Sequence, residues 1–125
     1  MISDGGDEIL AFARLQARIT DLTADSIEVG KSPSPAYKGG YLLLITPQGA
    51  PLDPNSPLFA NVYFIYSYGT TEADAALLDA EARKALSGKF IQGLGRLNST
   101  QGGQPGDQPG TGWPWVMGIY AARGI

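Results

Sequence analysis

An α+β domain, in which a mostly antiparallel sheet of about four strands packs against two helices and carries long extended loops, is the fold class predicted by three features of the sequence. Apolar residues recur at three- and four-residue spacing over 7–22 and again over 72–86. Residues 61–68 (NVYFIYSY) alternate as a strand does, with β-branched and aromatic side chains on both faces. Gly and Pro together, 17 and 9 of 125 residues, make up about one position in five against a usual share of roughly one in eight, so much of the chain is turn or loop. At this length the chain forms a single domain, 1–125, with arms at 30–40, 47–60 and 98–112.

The first helix, 7–22, carries Ile9, Phe12, Leu15 or Gln16, Ile19 and Leu22 on one side and Glu8, Arg14, Arg18 and Asp21 on the other. Ser3, Asp4 and Asp7 stand ahead of its apolar stripe, where carboxylates suit the positive end of a helix dipole. A short strand over 26–29 leads into KSPSPAYKGG, a loop or hairpin tip by its prolines and paired glycines. The strand YLLLIT, 41–46, leaves that loop. Pro47, Pro51, Pro54 and Pro57 then exclude helix and any central strand from the next stretch, which reads as an extended excursion.

The strand at 61–68 places Val62, Phe64, Tyr66 and Tyr68 on one face and Tyr63 and Ile65 on the other, so both faces must be covered. Gly69 ends it. Thr71 with Asp74 three residues on has the form of a capping box with Asp in place of Glu, and opens the second helix, Glu72 to Leu86. Ala75, Leu78, Ala82 and Ala85 or Leu86 form its buried stripe, and Gly88 stands where a left-handed C-cap belongs. A strand over 90–97, loosened by Gly93 and Gly95, and a closing strand from Trp113 or Trp115 to Ala121 complete the order. Between them NSTQGGQPGDQPGTG, 98–112, has no apolar residue and repeats Gln-Pro-Gly, which reads as a solvated arm, a hairpin tip or a loop that orders on binding.

Composition removes many chemistries. Without His or Cys there is no thiolate or imidazole metal site, no Ser-His or Cys-His nucleophile, no disulfide and no redox motif. Nine basic against twelve acidic residues give a net charge of −3, which offers no footprint for gripping nucleic acid or anionic lipid. No apolar run is long enough to span a bilayer, and the acidic MISDGGDEIL is unlike a signal peptide, so the reading is a soluble, non-secreted protein. Gly-Leu-Gly-Arg at 93–96 lacks the spacing and the following helix of a phosphate cradle. The carboxylate pairs Asp4 and Asp7, Asp21 and Asp25, and Glu72 and Asp74 sit at helix ends, where capping explains them without catalysis. No catalytic residue, cofactor or metal is expected, and the chain is not read as an enzyme.

Aromatic residues are distributed unevenly. The forty residues from Ser32 to Thr71 hold two charges, Lys38 and Asp53, and seven of the twelve aromatics. Phe64 and Ile65 read as core. Tyr37, Tyr41, Trp113 and Trp115 flank loops and are candidates for contact with another chain, since Tyr and Trp are enriched where charge is depleted at interface centres; a hairpin-edge role is the alternative. Gln104, Asp107 and Gln108 join them as polar candidates on the neighbouring arm.

The join from Tyr66 to Leu86, with Gly69-Thr70-Thr71, Glu72-Ala73-Asp74 and Ala82-Arg83-Lys84-Ala85-Leu86, followed by a polar hairpin and the aromatic strand Trp113 to Tyr120, resembles the tail terminator proteins of long-tailed bacteriophages, especially those of actinobacterial hosts. The resemblance covers most of the chain as architecture and about twenty residues as motif; the proline-rich piece from Pro47 to Pro57 departs from the family pattern. It implies a structural virion protein, made in the host cytoplasm, that forms a homo-oligomeric ring, a hexamer, on the tail tube, ends its polymerisation and joins it to the head connector or stopper. DNA would pass through such a ring without sequence-specific binding, and no membrane is involved. A head-completion or stopper protein of the neck is the nearest alternative, and a small monomeric ligand-binding domain the alternative from another class.

Overall fold

The computed structural model describes residues 5–48 and 60–123. Its elements in chain order are α1 (Gly6–Ala13), α2 (Ala17–Thr23), β1 (Ile27–Val29), β2 (Leu42–Pro47), β3 (Ala60–Tyr68), α3 (Glu72–Leu86), β4 (Lys89–Ile91), β5 (Gly95–Asp107) and β6 (Pro114–Arg123). The strands form one sheet in the order β1-β2-β3-β6-β5-β4, antiparallel except for the β1/β2 pair. The α+β class and the antiparallel bias are as the sequence predicts; among the described residues the sheet has six strands rather than about four, and there are three helices rather than two.

The extra helix comes from a break in the predicted 7–22 segment. The two halves of the segment have different neighbours: α1 packs against β1, β2 and β4, whereas α2 packs against α3. Between them the chain tightens, with the Leu15 and Gln16 amides bonding Phe12 and Ala13 carbonyls, and restarts after Gln16 in extended geometry. Ile9, Ala13, Ile19 and Thr23 are all buried, while Leu15 is 82% exposed. The helix Glu72–Leu86 has its predicted bounds: the Thr71 Oγ1 accepts from the Asp74 amide at 3.1 Å, and Gly88 holds a left-handed φ of 79° just past the end.

The differences in the sheet lie where glycine and polar residues hide strand. The predicted strand 90–97 is a tight hairpin, β4 turning at Gly93 into β5, with the Leu94 amide on the Ile91 carbonyl. Most of the predicted polar arm, 98–112, is likewise strand: β5 runs to Asp107 against β6, with irregularities between Ser99 and Gln101 and between Gln101 and Gln104. A ladder needs only backbone donors and acceptors, so an exposed edge strand can be built without apolar side chains. Only the tip of that arm, between Asp107 and Pro114, is a turn. In the predicted 47–60 arm, residues 49–59 lie outside the described ones.

Ile9, Ile19, Leu43, Ile45, Tyr63, Ile65, Leu78, Leu86, Leu97 and Tyr120 make the main core between helices and sheet. Helix α3 lies on β3, β6 and β5, while α1 touches β1 and β2 on one flank and β4 on the other, so the sheet curls around the helical layer. Glycine sets the spacing of these layers. A Cβ on Gly69 would collide with the Ala75 amide nitrogen, and one on Gly103 would lie 2.5 Å from Val116 Cγ1 and 2.7 Å from Asp79 Oδ2.

Candidate functional site

The sheet face turned away from the helices is built differently. Leu42 and Leu44 of β2, Tyr66 and Tyr68 of β3 and Trp115 of β6 share it, because Leu42 pairs with Tyr68 and Tyr68 with Trp115, and alternate residues point the same way. Tyr37, from the loop between β1 and β2, and Trp113, from the β5/β6 turn, close over this end. The rings meet edge to face: Tyr37 and Trp113 at 4.6 Å, Tyr37 and Tyr68 at 5.5 Å, Tyr66 and Trp115 at 5.0 Å between centroids. Leu42, Leu44 and Tyr68 are buried beneath; Tyr37, Tyr66, Trp113 and Trp115 stay half-buried. Further along the face, Val62, Phe64, Met117 and Ile119 are also half-buried, so the cover predicted for both faces of β3 is closed on the helix side and partial here.

Polar contacts fix the two loops. The Glu28 carboxylate accepts from the Ser34 amide at 2.9 Å and the Ser34 hydroxyl at 3.0 Å, and the Tyr37 hydroxyl donates to the Gly40 carbonyl at 2.7 Å. The Tyr68 hydroxyl donates to Gln108 Oε1 at 2.7 Å, and the Gln108 amide to the Trp113 carbonyl at 2.8 Å. Burial pushes the phenols of Tyr37 and Tyr68 up to about 12. Between the loops lies a groove of about 390 Å³, walled by Pro33, Pro35, Tyr37, Lys38, Gln108 and Trp113.

Of the seven candidate interface residues, the fold gathers Tyr37, Gln108, Trp113 and Trp115 into this cluster. Asp107 is exposed at the end of β5 opposite Pro114, and Gln104 is exposed opposite Met117. Tyr41 is elsewhere: one residue before Leu42, it takes the opposite face and packs against the main core, with burial and then the nearby Asp74 carboxylate raising its phenol. The sequence places Tyr66 and Tyr68 on one face of a strand that needs cover, outside the interface candidates. They share parity with Val62 and Phe64, but the loop and β6 rings they meet, Tyr37 against Tyr68 and Trp115 against Tyr66, are 31 and 49 positions away in sequence.

A second polar feature lies on the helix side. Asp79, 6% exposed, accepts from Arg83 Nη2 at 2.6 Å above Gly103; burial raises its carboxyl, an effect larger than the opposing pull of Arg83. The Tyr120 hydroxyl is buried beside it without a hydrogen-bond partner among the described residues. One carboxylate tied to one guanidinium suits the docking of a helix on a sheet. Among the described residues no group of three potential metal ligands occurs, and no helix is long and apolar enough to cross a membrane.

No family model and no curated protein matches the sequence. The fold is similar to that of a chain in the solved structure titled "Virion of native gene transfer agent (GTA) particle", with a TM-score of 0.65 and 17% identity over 91% of this chain and 92% of that one. At that identity the two share a fold.

Proposed function

We propose that this chain is a structural protein of a phage-like virion, and that it acts as a tail terminator: a ring, of six copies, that caps the completed tail tube, stops its growth and offers a surface to the head-side connector. The observation that carries the virion role is the fold shared end to end with a chain of a gene transfer agent particle. The terminator assignment rests on the residue pattern from Tyr66 to Leu86 and on the aromatic strand that follows.

The physical character of the chain fits a role in contact. Its half-buried aromatic cluster is positioned by loops, as interface anchors are, and the surface carries too little positive charge to hold passing DNA. Turnover is not part of this reading.

Removal of the gene from the producing system tests the proposal by electron microscopy. Tails that grow beyond normal length are the expected result. Tails of normal length left unjoined to heads would assign the chain to a stopper ring instead, and absence of the chain from purified particles would overturn the virion reading.

A further inference from the structure

The groove between the two loops and the proline-rich stretch of the chain have matching chemistry. Its walls include the three prolines Pro33, Pro35 and Pro109, an edge-to-face Tyr37–Trp113 pair and the exposed ammonium of Lys38. Aromatic grooves of this kind receive extended proline helices, which arrive with little conformational entropy left to lose. The sequence 51–57 reads Pro-Leu-Asp-Pro-Asn-Ser-Pro, with Pro51, Pro54 and Pro57 three apart. A left-handed proline helix has three residues per turn, so a peptide bound in that form would present all three prolines on one edge, with Asp53 beside them. Asp53 is the one charge between residues 39 and 71, and Lys38 is the one charged residue of the groove wall.

Chain length decides which copy supplies the segment. The groove lies beyond the Leu42 end of β2, where Tyr37 meets Tyr68, whereas residues 48–59 connect the opposite ends of β2 and β3. Six residues of β2 separate the two ends by about 17 Å. Even fully extended, Pro51 stays within about 14 Å of Pro47 and Pro57 within about 11 Å of Ala60. The three prolines cannot lie together in their own groove.

We infer that the Tyr37–Trp113 groove is a docking site for the Pro51–Pro57 segment of a second copy of this chain, with Asp53 set against Lys38. This rests on the assembly reading above. The contact joins different surfaces on the two copies, an end-to-end arrangement that closes into a ring when the rotation permits.

The test uses the full chain carrying Pro51→Ala, Pro54→Ala and Pro57→Ala, so that no copy can fill the groove of another, with a circular dichroism spectrum to confirm folding. Its Trp113 indole NMR signal, identified with Trp113→Phe, is followed as a synthetic peptide of residues 47–60 is added. A saturable shift is expected, weaker by about tenfold when the peptide carries the three alanines, as for loss of anchoring contacts. Lys38→Glu should weaken binding by about fivefold, and a peptide with Asp53→Lys should recover it. No shift, or equal binding of the alanine peptide, overturns the groove assignment and leaves the assembly reading standing if the chain still caps tubes. A Trp113 signal that differs between wild type and the triple variant while sedimentation shows both as monomers overturns the second-copy assignment. Peptide binding by a chain absent from particles supports the groove and overturns the assembly reading alone.

Discussion

The two faces of the sheet are stabilised by different means. Toward the helices, Leu43, Ile45, Ile65, Leu97 and Ala122 meet Ile9, Leu78, Ala82 and Leu86 with essentially no exposed surface. On the other face, Leu42 and Leu44 are equally buried, but under Tyr and Trp rings delivered by two loops. Aliphatic packing against helices gains stability from close fit alone. The aromatic face adds polar tips and half-exposed rings, which cost little to leave partly wet and remain available to a partner. Stability therefore resides mainly on the helix side, while the other face keeps half-exposed rings.

The largest expected effect is on the helix side. Leu86→Ala removes a fully buried side chain between α3 and the sheet and should cost about 3 kcal/mol, read as a lower urea midpoint. Next is Gly103→Ala, whose methyl would push against Val116 and Asp79; about 2 kcal/mol is expected, with retained secondary structure by circular dichroism. If either is neutral, the helix layer is looser than its packing implies.

On the aromatic face, Tyr68→Phe loses the bond to Gln108 and should cost about 1 kcal/mol at neutral pH. The same substitution should change the alkaline limb. Tyr37 and Tyr68 are raised from 10.0 to about 12 in the fold, so the folded chain keeps protons that the unfolded chain releases. Stability from these groups is present below pH 10 and declines as pH rises toward 12. Tyr68→Phe should flatten part of that decline in denaturation midpoints measured across the window; an unchanged slope would mean the phenol is not held neutral by burial. The smallest effect belongs to Leu15→Ser, at the 82% exposed residue between α1 and α2, which should stay within about 0.5 kcal/mol by the same unfolding assay.

Helix α3 was legible to the residue because each local signal agreed: the Thr71 cap, the alanine and leucine stripe, and Gly88 beyond its end. The β3 strand was legible for the same reason. β5 was not, since residues 98–107 show no apolar alternation and Thr100 as their one β-branched residue, and their strand form depends on the β6 backbone 7 to 23 positions later. The candidate cluster was half legible: loop-flanking Tyr37, Trp113 and Trp115 could be nominated from composition, while Tyr41 was separated from them by a single step of strand parity.

By itself the sequence determined what is local: one well-capped helix, one alternating strand, the positions of turns, and a composition without His or Cys. Tertiary structure decided what depends on partners distant in the chain. Different packing partners for its two halves split 7–22 in two, backbone pairing with β6 made a polar segment into a strand, and register brought Tyr37, Tyr68 and Trp113 to one end of one face. Propensity and capping act within a few residues, whereas pairing and packing are satisfied only across the whole sheet.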